Sequence, residues 1–118
     1  MKKEVRTDKA PLPIGPYSQA VRVGDFVFVS GQIAPEEEDI EKQTEKILQN
    51  IANILGKENI SLDNVVRVDV YIKDLSLFEN FNKAYKKFFN PPYPARVTVE
   101  VSGLPKDALV EISVIASL

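Results

Sequence analysis

Alternating apolar and polar residues predict two half-buried β-strands. In residues 65–73 the apolar side chains fall on every second position: Val66, Val68, Val70 and Ile72. Residues 109–116 repeat the pattern, with branched aliphatic side chains on one face and Glu111 and Ser113 on the other. A period of two residues is typical of a strand that covers a core with one face. We expect both strands to turn their aliphatic face inward.

The N-terminal third predicts a β-hairpin. Residues 21–23 and 26–30 are rich in β-branched and aromatic residues, and Gly24-Asp25 between them suits a two-residue turn. Residues 26–29 are apolar on both faces, which is typical of a central strand. Gly31 ends this strand, either because a ligand approaches the backbone there or because the chain forms a bulge. Residues 3–6 predict a short first strand.

Helical spacing predicts two helices. Apolar residues between 40 and 55 recur at intervals of three and four, and Gly56 suits a C-terminal cap, so the first helix is expected over 37–55. The acids at 36–39 suit its N-terminus, and we interpret them as solvated acids rather than a metal site. Ser76 and Glu79 predict a capping box that opens a second helix. Its aromatic stripe is expected to pack in the core: Phe78, Phe81, Tyr85 and Phe88.

Two proline-rich segments frame candidate site residues. Residues 10–16 predict an ordered loop that delivers Tyr17 to a strand, and this loop is either a packing element or the wall of a site. Prolines at 91, 92 and 94 stiffen the chain before a strand that begins at Arg96. An arginine held in this way can bind a carboxylate or phosphate through two parallel hydrogen bonds. A solvated or salt-bridged arginine is the alternative. Glu111 likewise suits either chemistry or pairing with a lysine.

The elements follow the order β-β-β-α-β-α-β-β. This order predicts an α+β fold in which a six-stranded, mostly antiparallel sheet carries both helices on one face. The opposite face is then expected to hold the polar residues of the last two strands: Arg96, Thr98, Glu100, Glu111 and Ser113. Either solvent or a subunit interface would explain such a face. The length of 118 residues predicts a single domain, residues 1–118.

Composition narrows the chemistry. The net charge of −2 gives no basic footprint for nucleic acid, so nucleic acid is an unlikely partner. No apolar run approaches the roughly 20 residues that cross a bilayer, and the first residues lack the apolar segment of a signal peptide, so we expect a cytoplasmic protein. Cysteine and histidine are absent, which excludes disulfides, thiolate or imidazole metal ligands and Ser-His or Cys-His nucleophiles. Acid–base chemistry is left to carboxylates, Tyr, Lys, backbone and water.

Four motifs run in order along nearly the whole chain: IGPYSQA at 14–20, VSGQI at 29–33, PAR followed by VEVSGLP at 94–105, and VEI at 110–112. Together they resemble the RidA (YjgF/YER057c/UK114) family. The chain departs from many relatives in a shorter loop before the first helix, and in Thr98, where many relatives carry cysteine. The first difference puts the contribution of that loop to a pocket in doubt, and the second matters only if the side chain, rather than the backbone, contacts substrate.

The resemblance implies a fold that is also chorismate mutase-like, in a homotrimer whose sheets form a central barrel and whose sites lie in the clefts between subunits. It implies hydrolysis of reactive enamines and imines, such as 2-aminoacrylate and 2-aminocrotonate, to 2-keto acids and ammonia. An imine is already electrophilic, so neither metal nor cofactor is expected. Arg96 would bind the substrate carboxylate, and Glu111 would position water and move protons. The implied substrate-binding residues are Tyr17, Ser30, Gly31, Asn82 and Thr98, with Phe78 nearby.

Other functions compete with the deaminase. A regulatory module could bind a 2-keto acid without turnover, although Glu111 would then repel the anionic ligand. Endoribonuclease or translation-inhibitor activity belongs to some relatives, but the acidic charge and missing histidine weigh against it. Pericyclic catalysis in the manner of chorismate mutase also uses Arg and Glu in a trimer cleft, and the Pro-Ala-Arg and Ser-Gly-Gln motifs favour RidA instead. A chaperone-like role leaves no trace in the residues.

Overall fold

The computed structural model describes all residues, 1–118, and contains one six-stranded sheet with two helices against one face. The strands are β1 (Lys3–Val5), β2 (Ala20–Val23), β3 (Phe26–Gln32), β4 (Val65–Ile72), β5 (Ala95–Glu100) and β6 (Val110–Ser117). The helices are α1 (Ile40–Gly56) and α2 (Phe78–Tyr85), and single 3₁₀ turns span Leu62–Asn64, Leu75–Leu77, Lys86–Phe88 and Pro105–Asp107. The predicted order of strands and helices is confirmed.

The strand order across the sheet is β1-β2-β3-β6-β4-β5. Every neighbouring pair is antiparallel except β4 and β5, which run parallel. Gly24 has a φ of 57° at the turn between β2 and β3, so the predicted hairpin and its glycine are confirmed. The central position predicted for β3 is also confirmed, because β6 covers its other edge. This topology leaves β1 and β5 as the two free edges.

One hydrophobic core lies between the sheet and the helices. Helix α1 begins at Ile40, later than predicted, because the Asp39 carboxylate accepts a hydrogen bond from the Lys42 N–H at 2.8 Å and so caps the helix there. The capping box predicted at Ser76 is wrong. Asp74 accepts a hydrogen bond from Ser76 N–H at 2.9 Å and caps a 3₁₀ turn, and α2 starts only at Phe78.

Val66 does not face the core as predicted, because a β-bulge shifts the alternation in β4. Val65 pairs with Ala116 and Arg67 pairs with Ile115, so Val66 is the extra residue of the bulge. Its side chain is 46% exposed, whereas Val65 is buried. The remaining inward positions of the predicted strand, Val68, Val70 and Ile72, are confirmed as fully buried.

The polar side chains of β5 and β6 lie on opposite faces of the sheet, which corrects the shared polar face predicted above. In β4, Val68, Val70 and Ile72 face the helices, and β5 sets Arg96, Thr98 and Glu100 directly beside them. Partners in register share a face, so these three side chains lie on the helix side. Glu111 and Ser113 alternate with the buried aliphatic residues of β6 and lie on the helix-free face.

The helix-free face of the sheet carries large apolar side chains that nothing in the chain covers. Phe26, Phe28, Val97 and Val99 are each between 41% and 47% exposed there. Monomeric proteins seldom leave such a row of aromatic and branched side chains on one open sheet face. No helix of the structure has the length and the apolar character that a membrane crossing requires.

Candidate active site

Glu111 lies at the wall of a cavity of about 170 Å³ on one side of the molecule. The cavity is also lined by the loop that carries Tyr17, by Gly31 and Gln32 of β3, and by Lys106. Glu111 is half-buried, and the burial raises the pKa of its carboxyl group because charge is less well solvated there. None of the six ion pairs of the chain includes it. A carboxylate in this state suits proton transfer more than structural pairing.

A second bulge brings Gly31 against Glu111. Val29 pairs with Val114 but Gln32 pairs with Ile112, so Ser30 and Gly31 together oppose a single residue of β6. A β-carbon at position 31 would lie 2.5 Å from Oε2 of Glu111 and 2.8 Å from its Cδ. The bulge offered as a reason for this glycine is confirmed, whereas the approach of a ligand stays a prediction. The group that lies against Gly31 in the chain itself is the Glu111 carboxylate.

The loop before β2 is held by a buried glutamine. Gln19 Oε1 accepts a hydrogen bond from the Thr7 N–H at 2.8 Å, and its Nε2 donates to the carbonyls of Thr7 and Pro11 at 3.0 and 2.9 Å. Ser30 supports the same loop, because its hydroxyl donates to the Ser18 carbonyl at 2.6 Å. Tyr17 is thereby placed at the cavity, where its side chain is 48% exposed. The predicted loop is therefore a packing element, and it also lines the cavity of Glu111.

Arg96 lies elsewhere, over the aromatic stripe of α2. Its guanidinium carbon is 5.6 Å from the ring centroid of Phe78, 5.4 Å from that of Phe81 and 4.8 Å from that of Tyr85. Each such contact is worth about 0.5–1 kcal/mol at an exposed site. Phe81 and Tyr85 thus support Arg96 and also belong to the core, as predicted. Phe88 packs against the core only partly buried, and Phe78 contacts Arg96 without belonging to the core. No carboxylate pairs with Arg96, so the salt-bridged alternative does not apply and its hydrogen-bond donors are available.

The backbone beside Arg96 is also unpaired. Val101 N–H donates to the Ile72 carbonyl at 2.9 Å, and backbone groups alternate in direction along a strand. Val97 and Val99 therefore point their N–H and C=O groups toward β4, whereas Thr98 points its own toward the free edge. The Thr98 hydroxyl is buried without a partner. A ligand held by Arg96 thus has backbone donors and acceptors within reach at the sheet edge.

Asn82 lines a pocket of about 330 Å³ with Tyr85, Lys86, Tyr93, Pro94 and Arg96. The predicted site residues therefore fall into two groups. One, hereafter the Glu111 half-site, comprises Tyr17, Gly31 and Glu111, which line the cavity, and Ser30, which does not line it but holds the loop that carries Tyr17. The other, hereafter the Arg96 half-site, comprises Asn82, Arg96 and Thr98, with Phe78 in contact with the guanidinium.

The two half-sites do not meet within one chain. Arg96 pairs with Val68, Val68 pairs with Val114, and Glu111 lies three residues before Val114 in β6. Two inter-strand spacings of about 4.8 Å and three residues of about 3.3 Å separate their Cα atoms by about 14 Å, and their side chains leave opposite faces. A ligand the size of a small amino acid cannot touch both.

Known proteins share this fold and sequence. Residues 7–118 match the family described as Endoribonuclease L-PSP. A RutC family protein of Pyrococcus abyssi is 49% identical over 98% of this chain and 96% of its own. This chain belongs to the Endoribonuclease L-PSP family. Reactive Intermediate Deaminase A, chloroplastic, of Arabidopsis thaliana is 41% identical over all of this chain and 67% of its own length. The crystal structure of E. coli TdcF with bound serine superposes with a TM-score of 0.92, at 38% identity and 98% coverage of each chain. The resemblance to RidA is confirmed.

Several residues in or beside the two half-sites were not predicted from the sequence. Gln19 lies within a recognised motif, but nothing in the sequence reveals that its side chain fastens the loop from Thr7 to Pro11. Lys106 lines the Glu111 cavity and adopts a φ of 55°. A lysine in the sequence does not predict this left-handed backbone conformation. Tyr85 was assigned to the core and is buried, yet its hydroxyl has no partner and its ring lies under Arg96. The structure holds no cluster of three or more His, Cys, Asp or Glu residues with metal-ligand geometry.

Proposed function

We propose that this protein is a deaminase that hydrolyses 2-imino acids and their enamine tautomers to 2-keto acids and ammonia. The observation that carries the proposal is the Glu111 carboxylate. It is half-buried, has a raised pKa, lacks an ion-pair partner and faces a cavity against a glycine. A pure receptor for an anionic ligand would gain nothing from this carboxylate, whereas a hydrolase needs such a base.

Each polar group has a role in the proposed reaction. Arg96 binds the substrate carboxylate with two parallel N–H donors, and the Thr98 backbone adds a contact at the sheet edge. Glu111 accepts a proton from water while the water oxygen bonds to the imine carbon and the C=N π electrons move to nitrogen. The proton then passes to that nitrogen to give a carbinolamine. Glu111 next moves the hydroxyl proton of the carbinolamine to the same nitrogen, the C–N bond breaks, and ammonia leaves as the C=O double bond forms. Such proton transfer typically contributes about 10²–10⁴-fold in rate.

The proposed site is completed by a second copy of the chain. The half-sites lie about 14 Å apart on opposite faces, so a neighbouring subunit has to bring its Arg96 to the Glu111 cavity. We propose a homotrimer, in which the apolar helix-free face with Phe28 and Val99 is covered by the other copies. A head-to-tail arrangement of three subunits would pair the two half-sites three times around a closed ring.

The relatives support the class of substrate. The Arabidopsis relative is named a reactive intermediate deaminase, and TdcF was crystallised with serine. Serine carries the α-carboxylate and α-nitrogen that the proposed 2-imino acid also carries. The pairing of one arginine for the carboxylate with one carboxylate for the nitrogen end therefore fits both.

The activity is tested by trapping free imine. The purified protein is added to a threonine/serine dehydratase with semicarbazide, and semicarbazone formation is followed with serine and with threonine. We expect the wild type to suppress trapping, and we expect Arg96→Ala and Glu111→Gln to fail to do so. Arg6→Ala is the matched control, because Arg6 is exposed and lies outside both half-sites. Equal trapping with and without wild-type protein would refute the deaminase for these substrates.

The shared site is tested by complementation. Arg96→Ala and Glu111→Ala are co-expressed so that mixed oligomers form. A site that takes Arg96 from one subunit and Glu111 from another is intact in about a quarter of positions after random equal mixing. We expect that fraction of wild-type activity to return. Mixed oligomers without activity, from two variants that are each folded, would place the whole site in one subunit.

Ribonuclease activity is the second candidate, because the matched family is described as an endoribonuclease. The net charge of −2 and the absence of histidine both weigh against RNA cleavage. Incubation of wild type and Glu111→Gln with single-stranded RNA separates the two functions. The ribonuclease would be favoured if the wild type cleaves RNA, Glu111→Gln does not, and the wild type has no effect on imine trapping.

A further inference from the structure

We propose that the pocket beside Arg96 selects imines with a second negative charge, those derived from acidic amino acids. This inference rests on the proposed function and adds a preference within its substrates. The pocket has a volume of about 330 Å³ and is lined by Asn82, Tyr85, Lys86, Tyr93, Pro94 and Arg96. It therefore has room beyond the point where Arg96 binds the α-carboxylate.

The pocket has two positive charges and no acid among its lining residues. Neither Lys86 nor Arg96 belongs to any of the six ion pairs of the chain. The next lysine differs, because Lys87 Nζ lies 2.9 Å from Glu45 Oε2. Glu100, the carboxylate nearest along β5, accepts a hydrogen bond from the Leu75 N–H at 2.8 Å instead. One substrate carboxylate would neutralise Arg96 and leave Lys86 without a counter-charge.

Local geometry places the second charge within the same wall. Asn82 and Lys86 are four residues apart, so they lie on one side of α2 and the turn that extends it. Tyr85 lines the same pocket, with its ring centroid 4.8 Å from the Arg96 Cζ. Its hydroxyl is buried without a hydrogen-bond partner at this pocket. A side-chain carboxylate in the pocket can pair with Lys86 and accept from the Asn82 amide.

The other half-site favours the same orientation. The cavity of Glu111 also contains Glu36, so a second substrate carboxylate pointing that way meets two acids against the one cation Lys106. Like charges repel by Coulomb's law, and the repulsion is strongest where the cavity excludes water. The side-chain carboxylate is therefore directed toward Lys86 rather than toward the Glu111 cavity.

The experiment measures kcat/KM for 2-iminoglutarate and for 2-iminobutanoate. Both are made in place from the amino acids by an amino acid oxidase, with oxygen as oxidant and catalase to remove peroxide. We expect Lys86→Gln to lower the ratio of the two values about two- to fivefold, as for an exposed ion pair, and Lys86→Glu to lower it about tenfold. Lys83→Gln is the matched control, because Lys83 is exposed on α2 outside this pocket. Raising salt should shrink the wild-type ratio.

The outcomes separate the inference from the proposed function. If 2-iminobutanoate is hydrolysed and Lys86→Glu leaves the ratio within the range of Lys83→Gln, the inference is overturned and the deaminase stands. If neither imine is hydrolysed, the proposed deaminase activity is refuted. The preference of the pocket for a second negative charge is then tested by calorimetric binding of 2-oxoglutarate and 2-oxobutanoate. Weaker binding of 2-oxoglutarate alone in Lys86→Glu supports it, and unchanged binding of both overturns it.

Discussion

Alanine at position 31 should damage catalysis far more than folding. The new β-carbon would lie 2.5 Å from Oε2 of Glu111, 2.8 Å from Cδ and 3.1 Å from Cγ. Gly31 does not use a positive φ, so alanine is compatible with the backbone. The carboxylate must move by about 0.9 Å to regain the ordinary contact distance that begins near 3.4 Å. The displaced group is the end of a flexible side chain.

The two consequences differ in size. An off-rotamer glutamate costs about 0.5–1.5 kcal/mol of stability. A displacement of about 1 Å in a reacting group can cost about 10²-fold in rate. We therefore expect Gly31→Ala to lower the free energy of unfolding by no more than about 1.5 kcal/mol. We expect it to lower kcat/KM for 2-iminobutanoate about 10²-fold.

Double variants isolate the contact. In denaturant unfolding, Gly31→Ala should be destabilising in the Glu111→Gln background, because glutamine has the shape of glutamate. It should be close to neutral in the Glu111→Ala background, where the side chain is gone. Gly103→Ala controls for a new methyl group, because nothing lies within 4 Å of a β-carbon there. Either of two results would contradict this prediction. Gly31→Ala could retain kcat/KM within twofold of the wild type, or it could change the free energy of unfolding as much in the Glu111→Ala background as in the wild type.

Three further predictions use other parts of the site. Arg96→Lys keeps the positive charge over the aromatic rings but loses the two parallel N–H donors of the guanidinium. We expect kcat/KM to fall about 10- to 100-fold, as for one lost charge-assisted hydrogen bond, with little change in the thermal unfolding temperature. Full activity of this variant would contradict the role of Arg96. Burial raises the pKa of Glu111, so the native state holds more protons than the unfolded chain between the ordinary and the raised pKa. The stability of the wild type relative to Glu111→Gln should therefore fall as pH rises through that window, and the acid limb of kcat/KM should lie above the usual glutamate range; a relative stability that rises instead would reverse the sign. Gln19→Leu leaves the Thr7 N–H and two carbonyls without their partner, and should lower the free energy of unfolding by about 1–3 kcal/mol or more in denaturant titration, whereas an unchanged midpoint would show that the loop does not depend on it.

Local patterns in the sequence predicted most of the fold. The hairpin with Gly24, the order of elements and the two helices follow from periodicity and turn chemistry, which depend on neighbours in the chain. The errors lie where tertiary pairing decides. Val66 belongs to an alternating run, and only the pairing of β4 with β6 reveals that it is the extra residue of a bulge. Asp74, two residues before Ser76, caps a 3₁₀ turn that precedes α2, and α2 itself has no side-chain cap.

The position of Arg96 relative to Glu111 could not be predicted from the sequence, for a more general reason. Alternation says which residues of a strand share a face, but it does not say which face of the sheet that is. In most half-buried strands hydrophobicity settles the question, because the apolar side turns to the core. β5 lies at an edge with Val97 and Val99 as its apolar side, and these residues face away from the helices of their own chain.

That orientation has a physical consequence for the assembly. A strand that turns its valines outward and its arginine toward the helices leaves these valines in water in a lone chain, which is unfavourable. It is consistent with a chain whose second hydrophobic layer is supplied by other copies. The same assignment of faces separates Arg96 from Glu111 within the chain by about 14 Å, so in the proposed homotrimer one assembly step would both cover the valines and complete the site. Apolar burial and catalysis are then coupled, and a variant that keeps the subunits apart should lose both together.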